Sequence, residues 1–256
     1  MRKEIFRPPV IAARSFAIHS VGVVALIVIW QIWVMLNGFN TIVMPSPVSV
    51  VQRLLEEPLF FGVNSLRTIG LSLIGLAAGA ALGTLIAVLA WWSRLLNGLL
   101  APVSLIFSSV PIVAIIPILL RVFGYDWRTA VIVVALITFF SMYVFTLAGL
   151  RALPPGTADV LKVFGASKLT SLRLIALPAS IPHWFLGLKI AAPLAVLAAM
   201  VAEFLMSMDG LGNVLDVARE DLQMDRALAA SLCATFVSVC FYFIASRAEK
   251  SAAADR

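Results

Sequence analysis

Two ionisable side chains, Lys189 and Glu203, stand deep in one apolar stretch between residues 178 and 207. A charge in the hydrocarbon core is costly and ordinarily faces a bundle interior or a water-filled path. The fourteen residues between them span about 21 Å and nearly four turns of α-helix, so the two cannot pair within that helix but can face one cavity. Lys189 is therefore a candidate for lining a translocation path and attracting an anion. The alternatives are a lysine that snorkels to the interface and one that pairs with a carboxylate.

Other chemistries lack their residues. There is no GxxxxGK[ST] phosphate loop to cradle ATP and no G-x-S-x-G nucleophile elbow. His19 and His183 are the only histidines, and neither stands in a cluster with metal-ligand spacing. Cys233 and Cys240 share one apolar run, about 10 Å apart along a helix and too far for a disulfide. The bases are scattered without interleaved aromatics, which argues against a nucleic-acid partner despite the net charge of +6. The expectation is a chain that is not an enzyme. A membrane-embedded lipid-modifying enzyme would need a carboxylate or histidine cluster at one face, and an ion-coupled secondary carrier fits poorly with a chain showing no internal repeat.

The elements that must hold Lys189 and Glu203 are membrane helices. Of 256 residues, 62% are hydrophobic and 12% charged, with mean hydropathy +1.04, outside the balance of a soluble domain. Six segments approach the roughly 20 apolar residues that cross a bilayer: 19–37, 66–92, 99–120, 129–149, 178–207 and 227–246. With the N-terminus inside, the inner segments hold 12 Lys and Arg and the outer ones 6, which sets both termini in the cytoplasm. Residues 1–18 are then a cytoplasmic segment, 19–246 the transmembrane domain with a cytoplasmic loop at 150–177, and 247–256 a cytoplasmic tail. The first apolar run lacks an A-x-A cleavage pattern and reads as a retained helix.

Local signals refine this layout. Gly70, Gly75, Gly79 and Gly83 crowd the second segment, and the two pairs among them four apart favour close packing against protein. Ser46 and Pro47 suit the first turn of a short outer helix. A second outer stretch turns at Gly210 and Gly212 and runs into an amphipathic helix from Asn213. Trp91 and Trp92 beside Arg94 read as interfacial anchors.

The 150–177 loop differs from its neighbours. Leu169, Leu172, Ile175 and Ala176 recur at helical spacing among Lys162, Lys168 and Arg173. A basic amphipathic helix of this kind can lie on an anionic lipid surface or insert into a groove on a cytoplasmic partner. Gly165, costing roughly 1 kcal/mol against alanine in a helix, is not needed for surface binding. It breaks the run into two short helices meeting at an angle, which favours the partner.

The run from Asp159 to Gly165-Ala166-Ser167, followed by Ile175-Ala-Leu177-Pro178, resembles the EAA loop of ABC-importer permeases. Gly165, Ile175, Leu177 and Pro178 match in place, Asp159 replaces the glutamate, and Val160 and Leu161 replace the alanines. Met44-Pro45-Ser46-Pro47, Ser65-Leu66-Arg67, Gly187-Leu188-Lys189, and Ala202-Glu203 followed by Gly210-Leu211-Gly212 are similar to the nitrate/sulfonate/taurine subgroup. The resemblance spans about residues 20 to 246; Lys189 stands where arginine is more usual.

The resemblance implies an all-α integral membrane protein of the type I ABC importer permease fold, with about six transmembrane helices and a cytoplasmic coupling helix, in a bacterial inner membrane. It further implies a second permease copy, two cytoplasmic P-loop ATPase subunits that hold ATP and Mg, an external substrate-binding protein, and no cofactor on this chain. Asp159, Gly165, Ala166, Ser167 and Leu169 become the expected coupling residues. Glu203 with Gly210, Leu211 and Gly212 becomes an external gate or an anchor for the external loop. The expected cargo is a small polar solute, and Lys189 tilts that expectation toward an anion.

Overall fold

Apolar runs of this length satisfy their backbone groups in a membrane only by folding as helices. The computed structural model describes residues 9–100, 112–153, 156–157, 161 and 163–254, and every regular element among them is helical. In chain order these are α1 (Pro9–Asn37), α2 (Pro47–Glu56), α3 (Pro58–Trp92), α4 (Ile112–Phe123), α5 (Trp127–Arg151), α6 (Lys168–Ser171), a π-helical turn (Leu172–Ala176), α7 (Leu177–Met206), α8 (Leu211–Glu220) and α9 (Met224–Ala254). Residues 94–100 are also helical. Asp159 lies outside the described residues.

Among the described residues, four helical stretches are long and apolar enough to cross a membrane: Pro58–Trp92, Trp127–Arg151, Lys168–Met206 and Met224–Ala252. The remaining two expected segments correspond to the shorter apolar helices Val21–Asn37 and Ala114–Phe123. The chain is thus an all-α integral membrane protein. Most described side chains of α1 are exposed, with Val34 buried.

The glycine spacing of α3 has a direct structural cause. A Cβ on Gly75 would strike Val134, one on Gly79 would strike Thr138 and the Ala135 carbonyl, and one on Gly83 would strike the Phe139 carbonyl and Met142. Three glycines at a four-residue interval therefore let the backbones of α3 and α5 touch. Gly149 and Gly187 do the same between α5 and α7, against Ser180, His183 and Phe145. Small residues of α7, including Ala191, Ala195, Ala198 and Ala199, fill the centre of the bundle.

Pro178 enters this bundle just after the π turn. Proline cannot donate an amide hydrogen and its ring crowds the carbonyl four residues back. Widening the preceding turn, where the Leu177 amide donates to the Leu172 carbonyl five residues back, carries the helix through without a break. The result is one rod of 39 residues from Lys168 to Met206.

Among the boundaries that differ from sequence expectation, three have a clear local cause. α3 starts at Pro58, because the proline suits a first turn directly after Glu57. α8 starts at Leu211, with the turn confined to Ser207–Gly210. α9 runs to Ala254, since Arg247 to Ala254 contains good helix formers and no breaker.

Beyond the bundle, α2 is capped as its sequence suggests: Ser46 Oγ accepts from the Ser49 amide at 3.1 Å, and Pro47 occupies the first turn. Arg53 Nε donates to Asp225 at 2.9 Å, and Glu57 pairs with Arg226. The Asp225 hydrogen bond raises the Arg53 guanidinium above its ordinary value.

Candidate functional site

The residues singled out by the sequence fall at three levels along the Lys168–Met206 rod. At its C-terminal end, Ser207 adopts a left-handed conformation with φ 49°, closing α7 as the Met208 amide donates to the Glu203 carbonyl at 3.1 Å. The chain turns at Gly210 and enters α8. Glu203 is 1% exposed. Its Oε2 accepts from the Gly212 amide and from the Thr68 hydroxyl, both at 2.9 Å, and Thr68 Oγ1 accepts from the Leu211 amide at 2.9 Å.

A carboxyl group on α7, a hydroxyl on α3 and first-turn amides of α8 thus form one buried network. The positive end of the α8 dipole favours the carboxylate there. The glycines make this geometry possible: a Cβ on Gly210 would fall inside the Glu203 carboxyl, and one on Gly212 would fall on the Met200 carbonyl oxygen. Chemically the arrangement is a tie between three helices. Beside it, Arg67 and Asp209 pair at 2.9 Å over a cleft of about 580 Å³ that Asn64 and Asn213 also line.

At the middle level, Lys189 Nζ sits 3.0 Å from Glu249 Oε2 and 5.5 Å from the centre of the Tyr242 ring. The two side chains are 23% and 27% exposed. Of the roles the sequence left open for Lys189, the geometry displays the carboxylate pair. Lys189 and Glu203 are not brought together; each has its own partners on other helices.

At the N-terminal end, Gly165 has φ +63°, a conformation that favours glycine. The Ala166 amide donates to the Leu161 carbonyl at 2.9 Å, as in a helix-ending motif. Ser167 then caps the next helix, its Oγ accepting from the Thr170 amide at 3.1 Å. Gly165, Ala166 and Ser167 therefore form an elbow at the glycine, as its position suggests, but it leads into the long Lys168–Met206 rod and not into a second short helix.

Around this elbow Val163 and Phe164 are 84% and 82% exposed, and Leu169 and Leu174 are exposed as well. On the opposite side, Leu172 and Ala176 are buried against Ala87, Ala90, Tyr143, Leu147 and Leu150. The elbow thus shows apolar side chains outward while its following turn is fixed to α3 and α5.

Sequence reasoning missed several partners. Trp91 Nε1 donates to the Leu150 carbonyl at 3.0 Å, and Lys168 lies 5.6 Å from the Trp92 ring centre while donating to the Trp92 carbonyl. Thr68 and Glu249 carry no motif or spacing that singles them out. The only sequence signal for either was a polar residue inside or just beyond an apolar run.

This architecture is that of the transmembrane subunits of type I ABC importers. The inward-facing structure of the MetNI methionine ABC transporter matches with a TM-score of 0.66 over 77% of this chain and 98% of that one, at 15% identity. The chain itself belongs to the family described as the binding-protein-dependent transport system inner membrane component, which matches residues 71–252. A probable ABC transporter permease protein of Haemophilus influenzae is 33% identical over 85% of this chain and 89% of its own length. The formylaminopyrimidine transport permease protein of Halalkalibacterium halodurans is 33% identical, covering 73% of this chain and 75% of the relative. A putative aliphatic sulfonates transport permease protein of Bacillus subtilis is 29% identical over 80% and 75%.

Proposed function

We propose that this importer permease works as one of two copies that enclose a translocation path, with both termini and the 150–177 loop in the cytoplasm. Two cytoplasmic P-loop ATPase subunits hold ATP and Mg, and an external binding protein delivers a small polar solute. ATP binding draws the ATPases together, moves the two elbows and opens the path outward.

The observation that carries this reading is the Gly165 elbow. Its Val163 and Phe164 side chains stand outside the bundle, where apolar surface is stabilised by a partner. The rod from Lys168 then connects that surface to the core without a break. Asp159, Gly165, Ala166, Ser167 and Leu169 form the docking segment in this reading.

Glu203, Gly210, Leu211 and Gly212 act as the anchor of the outer turn, since Glu203 is buried and its Oε2 is taken up by the Thr68 hydroxyl and the Gly212 amide. Lys189 stands beside the path with its charge offset by Glu249, which removes the net charge on which a preference for anions rested. The solute class is accordingly left at small and polar.

Gentle detergent purification from the native membrane, with mass spectrometry of the co-purifying chains, tests the proposal. Recovery of a P-loop ATPase in roughly equal amount is expected. A chain that purifies alone and transports solute without ATP would refute it.

A further inference from the structure

Both ends of the 150–177 loop return to one short stretch of chain. Where α5 ends, the Leu150 carbonyl accepts from Trp91 Nε1 at 3.0 Å and Arg151 donates to Asn97 Oδ1. Where the elbow ends, Lys168 donates to the Trp92 carbonyl and places its ammonium 5.6 Å from the Trp92 ring centre. Trp92 is the last residue of α3. Its carbonyl is one of the terminal acceptors that a helix leaves without an internal donor, and a cation is favoured at that end of the dipole.

We infer that Lys168 is a positioning residue that clamps the elbow to the C-terminus of α3, so that displacement of the elbow moves the Trp91–Asn97 stretch. The inference rests on the proposed role of the loop as the contact with the ATPase. Two observations give it mechanical content. Lys168 is the first residue of the continuous rod to Met206, so it cannot follow α3 without carrying α7. Leu172 and Ala176, one and two turns further on, are buried against Ala87 and Ala90 of α3, so a charged contact and an apolar one act on the same helix end.

Lys168 faces the permease body, whereas Val163 and Phe164 face outward. The division assigns docking to the apolar tip and transmission to the lysine. Met in place of Lys168 retains a long apolar stem but loses the donor and the charge; Arg retains both.

The test compares K168M and K168R permeases in complex with their ATPase and binding protein, reconstituted in vesicles. The readout is solute taken up per ATP hydrolysed. For K168M, co-purification of the ATPase is expected to persist while uptake per ATP falls about tenfold, as expected for loss of a charge-assisted hydrogen bond with its cation–π contact. K168R is expected to stay near wild type. If K168M does not accumulate, W92L removes the ring while keeping the carbonyl and is expected to lower the same ratio to a smaller extent.

A K168M complex with the wild-type ratio would overturn the clamp. Loss of ATPase co-purification in K168M would overturn it too, because the lysine would then be a docking contact. If the wild-type chain recovers no ATPase, the failure belongs to the proposed function and not to the clamp.

Discussion

The two ends of the Lys168–Met206 rod solve opposite problems. At the Glu203 end, groups from α3, α7 and α8 bond to one another inside the chain through Glu203 Oε2, and Gly210 and Gly212 press the outer turn onto the carboxyl. At the Gly165 end the backbone is equally well capped, yet Val163 and Phe164 are uncovered and no Cβ placed on Gly165 would meet anything. A region built to be finished within one protomer spends its glycines on close approach. The region that the proposed function gives to docking spends one on direction.

Substitutions that exchange these characters separate the two ends. The largest effect is expected from Gly212→Ala, whose Cβ lands on the Met200 backbone oxygen. Backbone cannot rotate away, so stability should fall by about 3 kcal/mol, the upper part of the overpacking range, read as a lower Tm in detergent. Next is Glu203→Ala, which strands the Gly212 amide and removes a partner of Thr68. A loss of about 2 kcal/mol is expected from buried groups left unpaired, and Glu203→Gln should recover part of it, since an amide oxygen still accepts both hydrogen bonds.

Gly165→Ala should cost only about 1 kcal/mol, the strain of a left-handed alanine with open space around it. Its expected signature is functional: solute uptake per ATP falls by more than the Tm shift explains. Phe164→Ser should leave stability within about 0.5 kcal/mol of wild type while weakening recovery of the ATPase. Equal destabilisation by Gly212→Ala and Gly165→Ala would erase the distinction between the ends.

Lys189 and Glu249 offer a separate check on the middle of the rod. Lys189→Met and Glu249→Gln each leave one charge without its partner, so the double substitution should lower Tm by less than the sum of the singles. Additive effects would mean that the pair does not act as a pair.

Much of this fold is legible in the sequence because it depends on spacing within one segment. Gly75, Gly79 and Gly83 announce a close helix contact by their interval, Ser46-Pro47 announces a helix start, and Gly165 announces an elbow. The partners of the charged groups were not legible, because they depend on which helices become neighbours. Thr68 meets Glu203 across 135 positions, Lys189 meets Glu249 across 60, and Lys168 meets Trp92 across 76.

Trp91 and Trp92 looked like membrane-interface anchors because tryptophan beside arginine fits that role by composition alone. Their ring nitrogen and carbonyl contacts become visible only when the end of α5 and the start of α6 are brought beside them. The end of the last apolar run at residue 246 puts Glu249 in a tail, yet the residues that follow are good helix formers and extend α9 far enough for the carboxylate to reach Lys189.

In the proposed function, the apolar tip at Val163 and Phe164 is where this permease meets an ATPase subunit. A Phe164→Cys variant in native membranes, labelled with a maleimide–benzophenone reagent that photo-crosslinks to any C–H bond within reach, tests it most directly. The expected result is a permease–ATPase adduct identified by mass spectrometry, absent when the cysteine is placed instead at Asp209 beside the outer turn. No adduct from position 164, in membranes where the ATPase co-purifies with the permease, would contradict the claim.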